Sequence, residues 1–202
     1  MNARGEGSKL IVDGGTFEGQ ETALMAFDKG EVIVNDGEFN TIDNFAIGTN
    51  GTDGRGGNTV IINKAVLNCG ITSANYEACG IYVANNDKVV IGPEVEINVT
   101  KGCGILMRAG EVEVKSGVKI NLTTDDEDFT GYVGDNKTKM TQSGIIYHES
   151  ANYPGKTGMK LTVDNGVTIN AINHSIQILS NEITPNVTIG QGTYNPAYPE
   201  LV

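Results

Sequence analysis

The chain has 202 residues, 27 of them Gly, no Trp, and a formal net charge of −11. That charge argues against nucleic acid or an anionic membrane as ligand, since both are gripped through Lys and Arg, and only three Arg are present, Arg4, Arg55 and Arg108. Helical periodicity is weak throughout and no apolar run is long enough to span a bilayer, so helix bundles and helical membrane proteins are poor fits.

Seven alternating apolar segments follow one another, each with a tight turn, one more apolar residue and usually an Asn. The first is Leu10-Ile11-Val12 with Gly15 and Phe17, closed by Glu18. Val32-Ile33-Val34 follows with Phe39 and Asn40, Val60-Ile61-Ile62 with Leu67 and Asn68, and Val89-Val90-Ile91 with Ile97 and Asn98. The later copies are Val112-Glu113-Val114 with Ile120 and Asn121, Leu161-Thr162-Val163 with Ile169 and Asn170, and Val187-Thr188-Ile189 with Tyr194 and Asn195. Their starts at 10, 32, 60, 89, 112, 161 and 187 are spaced by 22 to 29 residues, except for one step of 49 that carries an insertion.

A second strand recurs in phase with the first. Its clearest copies are Gly80-Ile81-Tyr82-Val83, Gly104-Ile105-Leu106-Met107, Gly144-Ile145-Ile146-Tyr147 and Ser175-Ile176-Gln177-Ile178. A unit of this kind cannot bury its apolar face alone, whereas stacked copies make a continuous core. The pattern resembles the right-handed parallel β-helix of the pectin-lyase-like superfamily in architecture, over about residues 9–195, with no catalytic family motif matched. The expectation is an all-β, single-domain right-handed parallel β-helix solenoid of about seven rungs with loop insertions. Residues 1–8 are read as an N-terminal segment or cap and 196–202 as a C-terminal tail. Six steps of ~4.8 Å make a body roughly 30 Å tall.

Strand alternation assigns the faces. Leu10, Val12 and their equivalents face inward. Cys79 aligns with Cys103 and Ser143, which reads as a stacked inner ladder; the odd count of three with Cys69 argues against a complete disulfide framework, and the cysteines read as free buried thiols, with a Cys69–Cys79 bridge as the competing reading. Asn40, Asn68, Asn98, Asn121, Asn170 and Asn195 occupy equivalent positions after the turn and form a structural asparagine ladder, since an amide both donates and accepts between levels. A row of carbohydrate-binding amides is the competing reading.

Outward positions carry two further rows. Lys9, Glu31, Thr59, Lys88, Glu111 and Lys160 place opposite charges side by side at 9/31, 88/111 and 111/160. Two residues along, Ile11, Ile33, Ile61 and Val90 form an apolar outer stripe that turns polar at Glu113, read as a subunit interface or as a surface covered by another part of the chain.

Sites on a rigid stack belong to its insertions, here residues 49–58, 69–79, 123–143 and 149–158. The third holds Asp125, Asp126 and Asp128, a carboxylate cluster suited to calcium, with a merely solvated acidic loop as the competing reading and no other cofactor expected. Aligning the second strands puts Arg108 and His148 at equivalent outward positions on consecutive rungs, beside Glu149, with Tyr82 and Tyr153 near. A cation, an imidazole and a carboxylate on one face could serve acid/base cleavage of an acidic polysaccharide. Such residues also meet by chance on a solenoid, and no Trp is present for sugar stacking.

The preferred expectation is therefore a non-catalytic structural or binding module of a phage virion, as a head decoration, fibre or tailspike-like protein. The resemblance implies partners among copies of itself, as a homotrimer about the stripe, or other virion proteins or a cell-surface glycan. Its expected location is the virion or an extracellular surface, made without a signal peptide since no N-terminal apolar segment is seen. The alternatives are a pectate-lyase-like or other polysaccharide-cleaving enzyme and a fragment of a bacterial surface adhesin.

Overall fold

A computed structural model describes residues 1–49, 55–70, 78–123, 141–180 and 182–197. The chain alternates between two parallel sheets. It runs through β1 (Asn2–Arg4), β2 (Lys9–Gly19), β3 (Thr22–Phe27), β4 (Glu31–Thr41), β5 (Phe45–Thr49), β6 (Thr59–Cys69), β7 (Cys79–Val83) and β8 (Lys88–Val99). Next come β9 (Cys103–Met107), β10 (Glu111–Val114), β11 (Lys119–Leu122), β12 (Ile145–Tyr147), β13 (Lys160–Val163), β14 (Thr168–Ala171), β15 (Ile176–Ile178), β16 (Val187–Ile189) and β17 (Thr193–Pro196). Strands β1, β3, β5, β7, β9, β12 and β15 stack in that order as a seven-stranded sheet, and the remainder form the ten-stranded sheet. The result is a parallel β-solenoid of about six turns. Seven levels have six steps between them, which accounts for the seven sequence copies. Residues 2–4, within the N-terminal segment, form the first level of the seven-stranded sheet, pairing Ala3 with Ala26.

In the first four levels the expected tight turn is a bend inside one strand of 11 or 12 residues, as in β2 and β8. Bulges mark these bends, between Val12 and Thr16 and between Ile62 and Lys64. From the fifth level onward a true turn splits the strand in two, Lys115-Ser116-Gly117 between β10 and β11 being the first. Gly117 has φ +93°, a left-handed conformation, and a Cβ there would lie 2.7 Å from Pro93 O. Any side chain would be strained and crowded at that point.

The core lies between the sheets. Val32, Val60, Val89, Val112 and Leu161 stack in register from the first half of the large sheet, and Phe39, Leu67, Ile97, Ile120 and Ile169 from its second half. Leu24, Ile47, Ile81, Ile105 and Ile145 face them from the small sheet. Apolar side chains in register at each level let one packing solution repeat with small adjustments, which is what a solenoid core requires.

The two sheets differ on their outer faces. The large sheet alternates buried and exposed residues, as when one face meets water. Over its middle levels the small sheet is buried on both faces, all five residues of β5, β7 and β9 being covered. A second apolar cluster explains this, with Phe45, Cys79, Tyr82, Ala84, Cys103, Leu106 and Ile146 packed against Met25, Tyr153 and Leu179.

Cys79 and Cys103 do pair across levels, yet they belong to this outer cluster and not to an inner ladder. The physical reason is a corner at Gly104. The consecutive amides of Gly104 and Ile105 both donate to the next level, at Ser143 O (3.0 Å) and Gly144 O (2.9 Å), so strand alternation breaks there. Both Gly104 and Ile105 then face the core and the residue before them faces out. All three cysteines are free and buried, with Cys69 in the main core.

Candidate functional site

The expected site residues gather at the outer face of the small sheet. Tyr147 is opposite Met107, so His148 follows opposite Arg108 on the adjacent level. Backbone bonds lock this register, His148 N to Met107 O at 3.0 Å and Ser150 N to Arg108 O at 2.9 Å. Tyr82 is opposite Leu106, two residues before Arg108 on the same face. Its hydroxyl meets the Tyr153 hydroxyl at 2.8 Å, and its ring stacks on Phe45 with centroids 5.0 Å apart.

The segment 149–158 closes over this face. Glu149 Oε1 accepts from Glu182 N at 2.7 Å, and Lys156 Nζ pairs with Glu182 at 2.6 Å. His148 Nδ1 donates to Leu179 O at 2.6 Å. The group does not form the expected exposed acid/base set. Arg108 is 2% exposed, His148 5%, Glu149 4% and Tyr82 2%. Residues placed outward by alternation are here roofed by a loop that alternation alone does not reveal.

Arg108 is the unusual member. Its Nη1 is buried without a hydrogen-bond partner, and no ion pair joins its guanidinium to any other described residue.

A second polar corner escaped the sequence reading. Asn58 and Asp87 precede β6 and β8 and are 1% exposed. Asn58 N and Nδ2 both donate to Asp87 Oδ1, at 2.9 and 3.0 Å, while Asn58 Oδ1 accepts from Gly30 N at 3.1 Å. Burial pushes the Asp87 carboxyl up to about 6, against the opposing pull of these hydrogen bonds. The only signal in the sequence was a polar residue directly before each apolar strand, which is also what an ordinary turn looks like. Beside this corner Asn86, Lys88, Gly110 and Gly155 help line an open cleft of about 260 Å³.

The outer stripe stands in register. Ile11, Ile33, Ile61 and Val90 pair level by level, with Glu113 next. Ile11 is 50% exposed and the other three are half-buried. A charge network closes the stripe's polar end: Glu113 binds Lys88 at 2.9 Å and Lys115 at 2.8 Å, and Lys115 reaches Asp164 at 3.7 Å. Lys9 and Glu31 meet at 3.2 Å as their spacing suggests. Lys88 and Glu111 are likewise opposite in register, but Lys88 reaches diagonally to Glu113.

The asparagine row is continuous. Asn68 donates to Asn40 (2.8 Å), Asn98 to Asn68 (3.2 Å), Asn121 to Asn98 (3.0 Å), Asn170 to Asn121 (2.8 Å) and Asn195 to Asn170 (3.0 Å). It runs along the outer face of the strand segment after each bend, with the backbone there paired in the sheet. Asp125, Asp126 and Asp128 lie outside the described residues. Among the described residues no group of three or more His, Cys, Asp or Glu is arranged to hold a metal ion. Comparisons with protein-family models, with curated proteins and with solved structures each return no match.

Proposed function

We propose that the chain is a non-catalytic structural and binding module that associates with copies of itself, of the kind a phage virion uses as a head decoration, fibre or tailspike-like protein. The observation that carries this reading is the outer stripe. Ile11, Ile33, Ile61 and Val90 stand side by side on a regular sheet whose neighbouring rows are charged or polar. Apolar side chains in one line on a water-facing sheet lower their free energy by meeting another surface. A trimer about this stripe is the assembly proposed, and the glycan or virion partner would then be met by the loops. The burial of Arg108 and His148 favours binding over turnover, since a general acid or base must reach its substrate.

The test is solution mass by size-exclusion chromatography with light scattering at ~100 μM, on the wild type and on the Ile33→Asp, Ile61→Asp double variant. Trimeric wild type and monomeric variant, both with the same β-rich circular dichroism, is the expected result. A monomeric wild type, or an assembly indifferent to the two substitutions, overturns the reading.

A further inference from the structure

We propose that Arg108 is the heart of an oxyanion-binding site on the outer face of the small sheet, independent of the stripe on the large sheet. The argument starts from the guanidinium itself. It is 2% exposed, its Nη1 has no hydrogen-bond partner, and no described carboxylate is paired with it. A buried Lys in such a place could release its proton and become neutral, but Arg cannot. A buried charge left alone costs several kcal/mol, a cost that a folded protein offsets by pairing it. No compensating anion is paired with it among the described residues, and a bound oxyanion is the complement assigned to it.

The surroundings select the chemistry. A guanidinium is a planar fork of N–H donors that matches two oxygens of one carboxylate or phosphate. The position is rigid: Arg108 N donates to Val83 O at 2.8 Å and Arg108 O accepts from Ser150 N at 2.9 Å, so the residue is pinned between adjacent levels. Its neighbours along the stack are Ala84 and His148, and Leu106 and Ile146 of the same face supply an apolar floor. Gly110, two residues further on, lines the open cleft with Gly155 of the covering loop. The site takes a small oxyanion, either free phosphate or the carboxylate of an organic acid.

The experiment follows the melting temperature of the wild type, Arg108→Met and Arg108→Lys in sodium chloride, phosphate or acetate at matched ionic strength. Phosphate or acetate, whichever is the right class, should raise the wild-type value saturably, by about 5 °C or more once the anion exceeds its dissociation constant ~100-fold. Arg108→Met removes the charge and keeps an apolar stem. It should show no anion-specific rise, and in chloride it should melt no lower than the wild type, because an uncompensated charge has been deleted. Arg108→Lys keeps the charge but loses the fork, so its response should need at least ~10-fold more anion. If wild type and Arg108→Met respond in parallel, or the wild type responds to neither oxyanion up to ~50 mM, the proposal fails. Should Arg108→Met not fold, an undiminished response in Arg108→Lys overturns it equally.

Discussion

Asp87 is a carboxylate held where its charged form is disfavoured, and a titration exposes that cost. Burial raises its pKa from 3.8 to about 6 in the folded state. Because the folded value lies above the unfolded one, the native state holds the proton more tightly. The stabilising contribution is complete below pH 3.8 and is lost as pH rises through 6. Asp87→Asn keeps an oxygen for the two Asn58 donors and never ionises. The variant should therefore gain on the wild type between pH 4 and pH 7.5, by up to about 3 kcal/mol for a shift of two pKa units. Parallel denaturation curves at pH 4, 5, 6 and 7.5 check this, and a difference that stays constant with pH refutes it. Glu113 behaves oppositely, its bonds to Lys115 and Lys88 holding it down at about 2. It is partly exposed, so solvent screening reduces what that contributes. Cys69 illustrates the same logic for a thiol. Burial pushes it up to about 12, which keeps it protonated and unreactive at neutral pH.

At the scale of elements the protein is held by rows that cross levels rather than by contacts within one strand. The asparagine ladder is the clearest, because each amide donates to the preceding level and accepts from the following one, so the bonds polarise one another. Asn98→Ala deletes two of them, to Asn68 and from Asn121, in a half-buried row. A loss of about 1–2 kcal/mol in urea unfolding is expected. Asn98→Asp should cost more, because a carboxylate cannot donate and would face the Asn68 oxygen. Equal losses for the two variants would mean the ladder's direction does not matter. The corner glycines form another row. A Cβ at Gly80, Gly104 or Gly144 would collide with Ile97, Ile120 or Ile169 and with backbone of the next level. Gly104→Ala should lower stability by about 1–3 kcal/mol, as overpacking does in a close-packed interior. A melting temperature within 1 °C of wild type would show that the corner relaxes freely. The repeats, the core rows and the asparagine row were all legible in the sequence, since period-2 alternation and a repeat near 25 residues are local signals. The corner was not. Break of alternation at Gly104 depends on hydrogen bonds to another level, which is why Cys79 and Cys103 were read as facing the wrong side.

For the whole molecule the two sheets divide the labour. The small sheet is covered on both faces over its middle levels and carries Arg108, His148 and the tyrosine pair. The large sheet turns its outer face to water and carries the stripe and the charge rows, and the proposed self-association belongs to it. A solenoid transmits little between such faces, because each level touches only its neighbours, so the stripe substitutions and the Arg108 substitutions should act independently. The quadruple comparison of wild type, Ile33→Asp with Ile61→Asp, Arg108→Met and the combined variant checks this through melting temperature and mass, and non-additive shifts would reveal coupling between the sheets. By itself the sequence determined the class and the rows of the large sheet, because these follow from side-chain alternation and from repetition, which need no knowledge of distant contacts. The tertiary structure alone decided which outward positions meet water. Arg108 and Ile11 both point away from the core by alternation, yet one is 2% and the other 50% exposed. Alternation assigns a face to a residue, and only the packing of loops far away in sequence determines what covers that face.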